Sequence, residues 1–166
     1  MSRAPPKMAR EQWDDLVASG KLSSQAYKVL HDAATERPFS SPLLAEEGKG
    51  LYTCAACGTE LFESETKFDS GTGWPSFYDK LPGVELEEDN AVDKVVNMRS
   101  EIHCIECGGH LGHVFRDGKL WNVPSSCRYC VNGVALQFES GAEPSGALNP
   151  TQDQDRAAKP NPDRRS

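Results

Sequence analysis

Cys104-Ile105-Glu106-Cys107-Gly108-Gly109-His110-Leu111-Gly112-His113-Val114-Phe115, followed past a loop by Arg128-Tyr129-Cys130-Val131-Asn132, is the stretch around which the chain is organised. From Cys104 to Asn132, with Cys127 in the loop, lie four of the six cysteines and two of the four histidines. If Arg128 to Asn132 is extended, Arg128, Cys130 and Asn132 face one side and Tyr129 and Val131 the other. A thiol flanked on its own face by a cation and an amide can be held as thiolate and can bind a polar substrate. His110 and His113, on a glycine-rich turn nearby, can supply proton transfer. A lone cysteine on a core strand is usually structural, but polar neighbours on its own face argue against that here.

Upstream, Cys54-Ala55-Ala56-Cys57-Gly58 repeats the pattern of Cys104-Ile105-Glu106-Cys107-Gly108. Two cysteines separated by two residues can meet one tetrahedral ion at about 2.3 Å per sulfur, and two such knuckles complete a zinc site. Glycine after each second cysteine permits a tight turn that aims N–H groups at sulfur. With Cys54, Cys57, Cys104 and Cys107 as ligands no coordination position stays open, so the expected zinc is structural. Two local disulfides or a redox Cys-x-x-Cys pair are the alternatives. Between the knuckles, Phe68-Asp69-Ser70-Gly71-Thr72-Gly73-Trp74-Pro75-Ser76-Phe77 cannot form regular structure, yet its Trp74 and Phe77 rings are costly to expose. Trp74 is either a plug under the core or the wall of a pocket.

The 166 residues suffice for one domain with a hydrophobic core. A net charge of −7 without a basic run argues against nucleic acid or anionic membrane as partners. No apolar run reaches membrane-spanning length, and the first residues lack a secretory core, so a reducing compartment, the cytoplasm, is the expected home. Residues 1–8 read as a flexible lead-in and 141–166, rich in Pro, Asp, Gln and Arg, as a disordered tail, which leaves a single domain over 9–140. Short helices are expected over Ala9–Ser19 and from Ser23 or Ser24 to Ala34. Strands are expected at Leu51–Thr53, Glu60–Phe62, Lys67–Phe68, Val95–Cys104, Val114–Phe115, Leu120–Trp121 and Tyr129–Phe138. The pattern predicts a mainly β fold, with twisted antiparallel sheets or a small barrel-like arrangement.

Taken together, Thr35-Glu36-Arg37-Pro38-Phe39, both knuckles, the Lys67–Phe77 block, His110–Phe115 and Arg128–Asn132 resemble the B-type methionine-R-sulfoxide reductases over roughly Trp13 to Phe138. The resemblance implies a twisted antiparallel β fold, a four-thiolate zinc away from the active centre, and repair of oxidised proteins by reduction of the R epimer of methionine sulfoxide. It implies Cys130 as nucleophile, Trp74 as the wall of the methyl pocket, and His110, His113, Arg128 and Asn132 as the polar set. It also implies a monomer served by an external thiol reductant such as thioredoxin. Many members carry a resolving cysteine where this chain has Thr72. Cys127 is the cysteine left to resolve a Cys130 sulfenic acid. Three extended residues span about 10 Å, whereas bridged cysteines need Cα atoms about 4.4–6.8 Å apart, so that bridge requires the strand end to unwind. A non-catalytic zinc-binding β module and a Cys127–Cys130 thiol–disulfide oxidoreductase are the competing functions.

Overall fold

A computed structural model describes residues 7–87 and 99–145. Two short helices come first, α1 (Arg10–Ala18) and α2 (Ser24–Leu30). Gly20, at φ 80°, turns the chain between them, and the Ser23 hydroxyl accepts from Ala26 N at 3.0 Å to cap α2. The second helix stops short of the expected Ala34, because Ala33 takes the left-handed conformation at φ 62°. Helices this short are stable only when packed. Trp13 supplies the packing: it is fully buried, edge-on to the Tyr27 and His31 rings at 6.3 and 5.6 Å.

The strands, among the described residues, are β1 (Gly50–Cys54), β2 (Glu60–Glu63), β3 (Lys67–Phe68), β4 (Ser76–Phe77), β5 (Val84–Leu86), β6 (Arg99–Cys104), β7 (His110–Phe115), β8 (Arg128–Val131) and β9 (Leu136–Ser140). They form a three-stranded sheet, β2-β1-β9, and a six-stranded sheet, β3-β4-β8-β7-β6-β5. Every pairing is antiparallel. Tyr52, Phe62 and Phe77 join the two sheets: the Phe62 and Phe77 rings stack at 4.3 Å, with Tyr52 edge-on to Phe77 at 5.1 Å. All three are fully buried, and each such ring contributes about 2–3 kcal/mol.

The mainly β, antiparallel architecture agrees with the sequence reading, but three local expectations need correction. Leu120–Trp121 is not a strand; it lies in a 3-10 turn over Gly118–Trp121. Tyr129–Phe138 is not one strand but two, split by a 3-10 turn at Gly133–Ala135. The cause is Glu36, whose carboxylate accepts from Gly133 N at 2.8 Å and Val134 N at 2.9 Å and so removes both donors from any ladder. Those residues carry the chain from the larger sheet to the smaller. The histidines lie within β7, not on a turn.

Of the expected Val95–Cys104 strand, Arg99–Cys104 is observed and 95–98 lie outside the described residues. The same holds for 1–6 of the lead-in and 146–166 of the tail. The described remainder is held down: Lys7 N and Met8 N donate to Cys107 O at 3.0 and 3.2 Å, and Gly141 N to Lys49 O at 2.7 Å.

Candidate active site and metal centre

The two knuckles close in the same way. Gly58 N donates to Cys54 O and Gly108 N to Cys104 O, both at 2.8 Å, with the glycines at φ 81° and 75°. Facing each other, they bring Cys54 Sγ to 3.7 Å from Cys107 Sγ and Cys57 Sγ to 3.5 Å from Cys104 Sγ. All four sulfurs lie within 4.8 Å of one another. A tetrahedron with metal–sulfur bonds of 2.3 Å has edges of about 3.8 Å, so the donor set fits one ion. Gly109 N points at Cys107 Sγ from 3.4 Å. A Cβ at Gly109 would meet Leu30 and Trp13 at 2.9 and 3.2 Å, so the helices rest on the second knuckle.

The Cys130 face is built by strand register. Cys130 is the direct partner of His113 on β7 and of Ser76 on β4, and His113 is the direct partner of Glu101 on β6. Side chains paired in this way share a face with Cβ atoms about 4.5–5.5 Å apart. The row Ser76–Cys130–His113–Glu101 therefore sets a thiol beside an imidazole and the imidazole beside a carboxylate. Gly112 permits the close approach of β7 and β8, since a Cβ there would sit 2.1 Å from Cys130 O. Strict alternation would turn His110 and His113 to opposite sides. The register shift at Ile102/His103 places an extra residue on β7 and lets their rings meet edge-on at 5.6 Å. His110 is buried, with Nδ1 2.6 Å from Glu101 Oε2.

Arg128 is buried and clamped. Its Nε and an Nη donate to the two Asp117 oxygens, each at 3.1 Å. Its guanidinium lies over the Phe115 ring at 4.3 Å and the Trp121 ring at 4.7 Å. Burial pushes the Cys130 thiol up; Arg128 and a hydrogen bond from Thr72 pull it down without offsetting the loss of solvent. A cation and a hydroxyl thus stand beside the Cys130 sulfur.

Trp74 is half-buried, and its indole Nε1 donates to Glu36 O at 3.1 Å. Asn132 does not open toward Cys130. Its Oδ1 accepts from Glu36 N at 2.9 Å and its Nδ2 donates to Leu111 O at 3.0 Å. Cys127 faces the far side of the sheet, packed on the core beside Tyr129.

The model of the SelR domain matches residues 22–140. The chain belongs to the SelR family. It is 46% identical over 145 residues to the peptide methionine sulfoxide reductase MsrB of Methanosarcina barkeri, covering 86% of this chain and 94% of that one. The corresponding protein of Methanosarcina mazei is 47% identical over 140 residues, 83% and 92% of the two chains. That of Leifsonia xyli is 49% identical over 121 residues, 72% and 84%.

In this SelR chain several residues of the site escaped the sequence reading. Glu36 fastens Trp74, Asn132 and the β8–β9 corner through backbone and carboxylate alike. Thr72 meets Ser70 Oγ at 2.9 Å, and Ser70 meets Ser76 Oγ at 2.8 Å, a hydroxyl chain leading to the Cys130 face. Trp121 Nε1 donates to Ser70 O at 2.9 Å and so ties the Lys119–Ser126 loop to that chain. Glu101 and Asp117 bear no local motif; only pairing across strands brings them in.

Proposed function

We infer that the protein reduces methionine-R-sulfoxide to methionine, in proteins and as the free amino acid, and thereby repairs oxidised proteins. The Cys130–His113 register pair, in a chain so similar to enzymes of that name, carries the reading. The sulfoxide sulfur is electrophilic, but its oxygen leaves poorly unless protonated. Cys130, once its proton is lost, attacks that sulfur, and His113 delivers a proton to the oxygen. His110 and Glu101 hold the His113 side of the row. Arg128 offers positive charge to the thiolate, and Trp74 offers an indole face to the sulfoxide methyl. Asn132 serves as a positioning residue.

Attack oxidises Cys130 to its sulfenic acid as the S–O bond of the substrate breaks and methionine departs. An external thiol then attacks the sulfenic sulfur and releases water, and a second thiol returns Cys130 to its reduced form with formation of the reductant's disulfide. We assign that part to a dithiol such as thioredoxin. Cys127 is a slower internal route: it must cross from the Tyr129 face, which requires β8 to unwind at Arg128. Zinc suits the four-thiolate donor set; bound there, it ties the two knuckles together and takes no part in the redox step. A monomer in the cytoplasm, where thiols stay reduced, fits this chemistry. Incubation with each sulfoxide epimer and dithiothreitol tests the reading. Turnover of the R epimer alone is expected; turnover of neither overturns it.

A further inference from the structure

Next to the Cys130 face lies a cavity of about 510 Å³ that the chemistry above does not use. Its apolar walls are Phe39, Leu44 and Phe68, and its rim carries Glu46, Glu47 and Asp69. Lys67 also lines it, but its Nζ is turned onto the backbone, donating to Leu44 O at 3.1 Å and Glu46 O at 3.0 Å. Three carboxylates thus lie around one ammonium that two carbonyls already hold. Phe39 is 70% exposed although its backbone is fixed, with φ 63° and its N–H donating to Gly73 O at 2.7 Å. An exposed ring held in the left-handed conformation costs stability without contributing to the core.

Strand register relates the cavity to the site. Phe68 is the direct partner of Ser76, and Ser76 of Cys130, so Phe68 stands on the same face two strands away, about 10 Å. Three residues of extended polypeptide cover that span. We propose that this groove docks the substrate polypeptide about three residues from its oxidised methionine, taking an apolar side chain against Phe39 and Phe68 and a Lys or Arg side chain against the Glu46–Glu47–Asp69 rim. The proposal rests on the reductase reading and deepens it: free methionine sulfoxide does not reach the groove, whereas a peptide does.

The test compares free methionine-R-sulfoxide with two pairs of peptides, carrying Lys or Glu three residues before, or three after, a methionine-R-sulfoxide. In at least one pair, kcat/KM for the Lys peptide should exceed that for the Glu peptide by about threefold to tenfold at low salt, and the ratio should shrink as salt rises. Glu47→Lys should reverse or abolish the ratio, and Phe39→Ala should lower kcat/KM for peptides, while both variants keep the activity toward the free substrate. Equal rates for Lys and Glu peptides in wild type, or a ratio untouched by Glu47→Lys, overturn the groove and leave the reductase standing. A groove occupied by a second copy of the chain gives that same flat result. Absence of turnover for free substrate and peptides alike removes the reductase reading, and the docking proposal with it.

Discussion

Cysteine does two different jobs at two places in this molecule. At the knuckles, Cys54, Cys57, Cys104 and Cys107 hold one another within 4.8 Å. On β8, Cys130 stands apart from other thiols and faces His113 across a strand pair. The first arrangement comes from local turns, each closed by a glycine at positive φ; the second comes from register between strands distant in sequence. A thiol surrounded by thiols suits a metal ion, and a thiol opposite an imidazole suits the reaction proposed above. The two regions are nevertheless joined. β6 ends at Cys104, β7 begins at His110, and the second knuckle is the connection between them. The second knuckle is thereby the turn that leads into the strand carrying His113.

The most severe break in the comparison is Cys130→Ser, which should abolish turnover while metal content and melting temperature stay at wild-type values. Retained turnover would move the nucleophile elsewhere. Cys104→Ser should do the reverse at the level of cause, losing the metal and the fold with it. Structural zinc contributes on the order of 10 kcal/mol in small domains, comparable with the whole stability of one. Circular dichroism and metal analysis read it, and a metal-free variant with normal melting would make the cluster incidental.

His113→Gln should lower kcat by about 10²–10⁴-fold with metal and melting intact, the usual contribution of a positioned acid or base. An unaltered kcat would assign the proton to another group. Alkylation sharpens the Cys130 side of the comparison. Because burial pushes its pKa up, the thiol is protonated below that value, so the rate should climb with pH through a midpoint above that of an ordinary thiol. Arg128→Met, which removes a lowering charge, should move the midpoint further up; a downward move would show that Arg128 does not act on the thiolate. The smallest effect is expected from Cys127→Ser, less than about twofold on turnover with dithiothreitol. After one turnover without reductant, wild type should lose one thiol at once and a second only slowly; simultaneous loss of both would make Cys127 a fast resolver.

Much of this was legible in the chain itself. The spacing of the knuckle cysteines and their glycines determined that the four thiols can gather, because a Cys-x-x-Cys turn is closed by its own backbone and needs little from elsewhere. The alternation around Cys130 correctly turned Tyr129 and Cys127 away from it. Short strands between turn residues determined the β class. Tertiary structure alone decided which residues face Cys130, since Ser76, His113 and Glu101 reach it through register across three strand pairs, and no local rule encodes register. It also decided the direction in which the Cys130 thiol is pushed: the neighbouring Arg128 could be read in sequence, but the burial that outweighs it arises only in the folded sheet. Asn132 shows the same division, for strand alternation put it beside Cys130 while the distant Glu36 backbone claimed its amide. Glu36 is the extreme case, a single carboxylate in an irregular segment whose role as fastener exists only once the chain has folded around it.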